Sequence, residues 1–202
     1  MEASGGDKAR DTAACRIIPR RETLQGIPSA PDAMDNTPRR IRLKNRYMAG
    51  GQRYWVWLAR GLPAEGVLKR FATEEICRAR LVEVRWPDGP RCPRCRSTDV
   101  TPLATRPAYQ CQHCRYQFTV TVGTVLHRSR VPLLDWFSAA EEVIKYQARS
   151  DLVMPSELLA EQLGTSYAAA WRLRDRICED CAPEGAGLLR RAVCIEHDET
   201  AP

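Results

Sequence analysis

Two pairs of cysteines are the part of this 202-residue sequence whose residue types and spacing indicate a definite chemistry. Each pair has the form C-x2-C, and fifteen residues separate the pairs. This spacing is typical of a zinc ribbon, in which four thiolates surround one tetrahedral Zn2+ and leave no coordination position open for substrate. The expected metal is therefore structural, and its expected ligands are Cys92, Cys95, Cys111 and Cys114.

The size of the module favours a zinc site over cysteines that are simply buried apolar residues. A segment of about forty residues rarely buries enough apolar surface to fold without metals or disulfides. Structural zinc contributes on the order of 10–16 kcal/mol, which a small core cannot match. A redox-active pair of thiols is the competing interpretation. It needs a helical or βαβ context, which the proline-bearing knuckle at Pro93 disfavours.

A second cysteine-rich segment has the form C-x2-C-x12-C-x2-H. Its residues are Cys178, Cys181, Cys194 and His197. The first two are expected on a continuous helix, where side chains three residues apart share a face but lack the geometry of a knuckle. We therefore expect one zinc ion per chain rather than two.

A helix and a strand are expected on either side of the two cysteine pairs. Thr73 can cap a helix, and Cys77, Leu81 and Val84 then follow at helical spacing. Over residues 115–122 apolar and polar side chains alternate strictly, which predicts a strand with one apolar face.

A longer helix is expected over residues 132–147. Its first residue is a proline, which suits the first turn of a helix. Leu133, Phe137, Ala140 and Ile144 form a stripe at helical spacing that predicts a buried face.

These elements predict an α+β protein made of several small modules. Residues 1–60 are expected to be a poorly ordered basic arm, and residues 68–124 a helix plus the zinc ribbon. Residues 130–181 are expected to form a helical helix-turn-helix region. Residues 182–202 are expected to hold a linker and the start of a further domain, with a strand over residues 188–195.

Charge and apolar patterning limit the classes of partner. The formal charge is +6, and residues 39–70 contain nine lysines and arginines against the single acid Glu65. This stretch is either a solvated surface or a contact for nucleic acid. No secretory signal and no membrane-length apolar stretch is present, so a cytoplasmic protein without membrane contacts is expected. The apolar residues 54–58 are expected to dock on the following domain or on a partner.

Residues 156–176 have the layout of a helix-turn-helix. Ala160 is small where two helices would cross, and Gly164 suits the sharp turn between them. The internal apolar positions are Leu159, Leu163, Ala170, Leu173 and Ile177. An ordinary helical hairpin with a solvated arginine face is the alternative.

The second helix of this pair would be the recognition helix. Hydroxyl, aromatic and guanidinium groups on its outward face suit phosphates and base edges in a major groove. The expected DNA-binding residues are Ser166, Tyr167, Trp171, Arg172, Arg174 and Arg176.

Taken together, these motifs resemble bacterial insertion-sequence transposases that carry an N-terminal zinc ribbon. The resemblance covers about residues 70–199. Besides the two knuckles, it rests on Phe71-x2-Glu74-Glu75-x-Cys77, Arg85-Trp86-Pro87-Asp88-Gly89, Tyr116-Gln117-Phe118, Gly123-Thr124-Val125-Leu126-His127, Pro132-Leu133-x2-Trp136-Phe137 and Leu163-Gly164-x-Ser166-Tyr167-x3-Trp171-Arg172.

The resemblance implies that ribbon and helices engage the terminal inverted repeats of a mobile element. In full-length relatives an RNase H-like domain then cuts and joins DNA, with carboxylates that hold two divalent metals such as Mg2+. Asp198 is the vestigial candidate for the first of these carboxylates, and only four residues follow it. A two-metal site needs further carboxylates, so the chain alone is expected to be catalytically inactive and truncated.

The sequence therefore predicts the DNA-binding N-terminal portion of an insertion-sequence transposase in the bacterial cytoplasm. Its expected partners are double-stranded DNA and either a second copy of itself or a full-length transposase in a mixed oligomer. The alternative is a stand-alone zinc-ribbon regulator that represses transposition or transcription with the same modules.

Overall fold

Helices make up about half of the described residues, with one small sheet between the third and fourth of them. The computed structural model describes residues 50–150 and 152–195. In chain order the elements are α1 Gly51–Arg60, α2 Val67–Arg70, α3 Glu74–Arg85, β1 Val100–Pro102, β2 Tyr109–Cys111, β3 Gln117–Phe118, α4 Leu133–Arg149, α5 Ser156–Leu163, α6 Tyr167–Cys181 and α7 Leu188–Val193. The α+β class predicted from the sequence is confirmed.

Helix α4 lies at the centre of the helical core and contacts each of the other six helices described. Its predicted apolar stripe is largely confirmed, since Phe137, Ala140 and Ile144 are fully buried, whereas Leu133 is only partly buried. Buried Glu141 pairs with Lys145 and also accepts a hydrogen bond from an N–H group at the start of α2. The carboxylate therefore orients a neighbouring helix as well as its own.

Helix α1 occupies part of the segment that was expected to be a poorly ordered arm. Tyr54, Trp55 and Leu58 fall on one face of the helix and are buried in the core. The Tyr54 hydroxyl also donates a hydrogen bond of 2.7 Å to the backbone oxygen of Cys181. The apolar residues of this segment thus dock on the following domain, which was one of the two alternatives, and the helix forms because that face has a core to pack against.

Helix α7 lies where a strand was predicted, so that prediction is wrong. The Asp180 carboxylate accepts hydrogen bonds from the backbone N–H groups of Leu188 and Leu189, at 3.2 and 2.7 Å, and from that of the following residue at 3.4 Å. A carboxylate at this position satisfies the unpaired donors at the start of a helix. The apolar run therefore forms a helix because an acid several residues upstream caps it.

Replacing Asp180 by alanine is expected to lower the free energy of unfolding by about 2 kcal/mol, because hydrogen bonds from backbone donors to a buried charged acceptor are lost. Equilibrium unfolding in urea would measure the change. Glu179→Ala is the matched control, since Glu179 is an exposed acid one residue away. Equal stability of the two variants would contradict the capping role.

Candidate metal centre and nucleic-acid interface

The four cysteines of the two C-x2-C pairs come together in space. Their sulfur atoms all lie within 4.8 Å of one another. The Cys92 and Cys114 sulfurs are 3.6 Å apart, and the Cys95 and Cys111 sulfurs are 3.5 Å apart. An ideal tetrahedron with Zn–S bonds of about 2.3 Å has S···S edges of roughly 3.8 Å. The donor set therefore fits Zn2+ with all four positions filled by protein, which is a structural zinc site.

The two pairs fold into knuckles with the same backbone pattern. The N–H group of Arg96 donates to the carbonyl of Cys92 at 2.8 Å, and the N–H group of Arg115 donates to the carbonyl of Cys111 at 3.0 Å. Both arginines have a positive φ, 63° and 57°, a conformation that L-residues adopt infrequently. The repeated turn brings each pair of sulfurs to the same side of its loop.

Backbone N–H groups inside the knuckles point towards the sulfurs. Burial raises the pKa of Cys92, but the N–H groups of Cys95 and Arg94 outweigh this effect, so the pKa falls to about 7. The N–H group of Cys114 likewise lowers the pKa of Cys111. Zinc binds thiolates, so these donors favour the form that the metal requires.

The pKa of Cys95 is shifted in the opposite direction. The backbone N–H of Ser97 lowers its pKa, yet burial and the hydrogen bonds with the other three sulfurs raise it to about 12. This thiol is therefore protonated at neutral pH. Zinc binding releases its proton.

The sheet of the ribbon is shorter than the alternating pattern predicted. Its three strands are antiparallel in the order β1-β2-β3, with Val100 opposite Cys111 and Tyr109 opposite Phe118. The third strand ends at Phe118, and the apolar residues after it divide between two cores. Val120 packs with the helices, whereas Val122 packs with the ribbon. The predicted strand over residues 115–122 is therefore only partly confirmed.

Arg85, the last residue of α3, and Trp86, which follows it, form a joint that holds the ribbon against the helical core. Arg85 donates hydrogen bonds to the carbonyls of Val120 and Val122, the second at 2.7 Å. The ring of Trp86 packs edge to face on Tyr109 and Phe118, with centroids 5.7 and 5.9 Å apart. The ribbon is thus fixed directly to a helix.

The second cysteine-rich segment does not form a ligand group in the part of the chain that the structure describes. The thiol of Cys178 accepts a hydrogen bond from Gln147 at 3.2 Å, and that of Cys194 donates to the carbonyl of Leu58 at 3.4 Å. Burial raises the pKa of each of these two thiols to about 12, and raises that of Cys181 as well. Cys178 and Cys181 are buried and Cys194 is partly buried, while His197 lies outside the described residues.

Helices α5 and α6 form a helical pair with a sharp turn, at the positions predicted. Gly164 ends α5 with φ of 60° and ψ of 32°, a left-handed conformation that glycine adopts without strain. The Ser166 hydroxyl accepts a hydrogen bond from the Ala169 N–H at 3.3 Å and so caps α6. Leu159, Ala170 and the other expected internal positions are buried or partly buried between the helices and α4.

Three of the expected DNA-binding residues form one outward face of α6. Tyr167 is 54% exposed and Trp171 is 42% exposed, which is high for large aromatic side chains. Arg172, also exposed, lies beside Trp171, and Ser166 is exposed at the start of the same helix. This face combines aromatic surface, a hydroxyl and a guanidinium group.

Two arginines of α6 do not lie on that face. Arg174 was expected to point outward, but it is buried and donates a hydrogen bond of 2.9 Å to the carbonyl of Met154. Arg176 is partly buried, donates to the carbonyl of His127 at 2.9 Å, and lies 5.6 Å from the centre of the Trp136 ring. The first supports the loop before α5, and the second supports the loop before α4.

A basic cleft beside α6 was not predicted. It has a volume of about 560 Å3, and its walls include Arg128, Arg130, Arg172 and Arg176. The closely spaced arginines of residues 127–131 are visible in the sequence, but only the fold shows that they face α6. The exposed acids of the helical pair, by contrast, include Glu157 and Glu161 on α5.

The candidate catalytic residue Asp198 and the basic residues before residue 50 lie outside the described residues. Within the described residues, no helix has the length and apolar character needed to cross a membrane.

Comparison with known proteins identifies the ribbon. Residues 72–117 match the model of a transposase zinc-ribbon domain. The chain is also 32% identical over 81 residues to an uncharacterized protein in transposable element ISH50 of Halobacterium salinarum (strain ATCC 700922 / JCM 11081 / NRC-1). That match covers 39% of this chain and 28% of the relative. No solved structure matches the chain.

The matched segment begins just before α3 and ends in β3, so it contains all four cysteines. The domain match, the relative from a transposable element and the convergence of the sulfurs agree with one another. They confirm the resemblance predicted from the sequence: residues 72–117 of this chain match a transposase zinc-ribbon domain.

Proposed function

We propose that this chain binds double-stranded DNA at the terminal inverted repeats of a mobile element, with α6 as a recognition helix in the major groove. The observation that carries the proposal is the order of the modules. A transposase zinc ribbon is followed, after helix α4, by the helical pair α5 and α6, and the exposed face of α6 carries Tyr167, Trp171 and Arg172.

The dimensions and chemistry of α6 suit a major groove. A helix of 15 residues extends over roughly 22 Å, and a B-DNA major groove about 12 Å wide admits one helix. Arg172 can donate two hydrogen bonds to the major-groove edge of a guanine. Tyr167 and Trp171 offer apolar surface to thymine methyl groups or sugars, together with one donor each.

The distribution of charge favours one orientation on the duplex. Arg172 on α6 and the arginines of the adjacent cleft attract phosphates, whereas Glu157 and Glu161 on α5 repel them. A duplex is therefore expected to lie along α6 and the cleft, with the acidic side of α5 turned away from it.

The ribbon would then act mainly as a brace. The joint of Arg85 and Trp86 fixes it to α3, and α3 packs on α4, which in turn packs on the helical pair. Strand cleavage forms no part of this proposal, since it concerns recognition only.

Titration of labelled duplexes by fluorescence anisotropy tests the proposal. The full chain with zinc is expected to bind duplexes from the ends of the matching mobile element more tightly than a scrambled duplex of equal length. Both affinities should decrease as the salt concentration is raised from about 50 to about 200 mM, because salt weakens phosphate contacts. Equal affinity for both duplexes would reject end recognition. Failure to bind either duplex at 50 mM salt would reject DNA binding altogether.

A further inference from the structure

We infer that residues 127–131 form a phosphate-binding loop that contacts the backbone of the same duplex as α6. The inference rests on the proposed function, because it assigns a second contact to the DNA bound there. Two exposed arginines, Arg128 and Arg130, project from this loop next to α6.

The loop is held in place by hydrogen bonds to a single hydroxyl. The Trp136 indole N–H donates to the Ser129 hydroxyl at 3.0 Å, and the Val131 N–H donates to the same oxygen at 3.1 Å. Trp136 is itself fully buried in α4. The residue between the two arginines is therefore fixed to the core, and the arginines on either side of it face solvent.

A second set of contacts holds the start of the loop. Arg176 of α6 donates to the carbonyl of His127 at 2.9 Å, and a ring nitrogen of His127 accepts from the Gly123 N–H at 2.8 Å. Arg128 follows with a φ of 55°. This left-handed residue turns the chain between His127 and Ser129, which are both held by hydrogen bonds. The loop is therefore ordered before any ligand binds.

The cleft between the loop and α6 has the composition of an anion site. Arg128 and Arg130 lie on the loop, and Arg172 and Arg176 lie on α6. Asp175 is the single acid among the residues that line the cleft. Arginine binds phosphate oxygens through a planar fork of donors, so Arg128 and Arg130 can each engage a phosphate.

A nucleic-acid backbone fits this cleft better than a small phosphate compound does. The cleft is continuous with the exposed face of α6, because Arg172 belongs to both. Phosphate contacts made beside a recognition helix fix its orientation and register on the duplex, while the helix reads bases. The loop is therefore assigned to orientation and affinity rather than to sequence preference.

The test compares the double variant Arg128→Ala/Arg130→Ala with the unsubstituted chain. Its affinity for every duplex is expected to fall on the order of tenfold, and the slope of log affinity against log salt to become shallower by about two, one for each lost phosphate contact. The preference for terminal repeats over scrambled DNA should be unchanged. The conservative double variant Arg128→Lys/Arg130→Lys should keep most of the slope, because phosphate binding needs charge more than fork geometry.

Arg91→Ala/Arg149→Ala is the matched control, since it removes the same charge from exposed positions outside the cleft and outside the basic stretch of residues 39–70. If the loop variant and this control weaken binding equally, the inference is overturned while the proposed function stands. If the chain and its variants bind no duplex at low salt, the proposed function fails, and the inference fails with it. Full displacement of DNA by inorganic phosphate at constant ionic strength would also overturn the inference, because it would indicate a site for free phosphate.

Discussion

Replacing Cys111 by serine is expected to abolish zinc binding and to unfold the ribbon around residues 92–118. Cys111 is fully buried, and its sulfur lies 3.5 Å from that of Cys95. Structural zinc contributes on the order of 10–16 kcal/mol, as much as the whole stability of a typical domain. The few core residues of the ribbon cannot replace that contribution. Elemental analysis should show a fall from one zinc ion per chain to nearly none.

Hydrogen exchange would show which part of the chain unfolds in Cys111→Ser. Protection is expected to be lost across the ribbon and retained in α4, whose buried face packs on other helices. Cys194→Ser is the control, because its hydroxyl can still donate to the Leu58 carbonyl. This control should keep one zinc ion per chain. A normal zinc content in Cys111→Ser, or a halved content in Cys194→Ser, would contradict the assignment of a single four-cysteine site.

Replacing Arg172 by alanine is expected to weaken binding to terminal repeats by roughly 5- to 150-fold, which corresponds to 1–3 kcal/mol for the loss of a bidentate contact with a base. Affinity for a scrambled duplex should change much less, so the preference for the cognate sequence falls. Binding of a panel of single-base variants would show at which base pair discrimination is lost. A uniform loss on all duplexes, with a shallower salt dependence, would instead make Arg172 a phosphate contact.

Arg174, two residues further along α6, provides an internal comparison. It is buried and donates to the Met154 carbonyl at 2.9 Å, so Arg174→Ala should lower the free energy of unfolding rather than alter sequence preference. Arg172→Ala should leave stability nearly unchanged, because its side chain is exposed. Thermal unfolding of both variants would separate the two roles. An unfolding midpoint that falls more for Arg172→Ala would contradict the exposure of that side chain.

The parts of the fold that depend on nearby residues could be predicted from the sequence. The spacing of Cys92, Cys95, Cys111 and Cys114 determines a local module, so its metal site needed no distant information. The same is true of the apolar stripe of α4 and of the turn at Gly164, where the sequence pattern and the structure agree.

The parts that depend on distant contacts could not be predicted in the same way. Helix α1 forms against a core assembled from later residues, and Tyr54 bonds to Cys181 far along the chain. The segment of α7 has a strand-like composition, but the Asp180 carboxylate supplies helix-capping acceptors. In both cases a tertiary contact overrides the local pattern. The expectation for Arg174 failed for another reason: Arg174 lies four residues after Ala170 and three before Ile177, so helical spacing places it on the buried stripe of α6.

The burial of the cysteines outside the ribbon has a consequence for oxidative damage. Burial raises the pKa of Cys178 and Cys194 to about 12 and that of Cys77 to about 11, so these thiols stay protonated and are poor nucleophiles at neutral pH. Oxidants and electrophiles react with thiolates. Among the described residues, such reagents would therefore react first with the cysteines of the ribbon, and the ribbon would lose its structure before the helical core does.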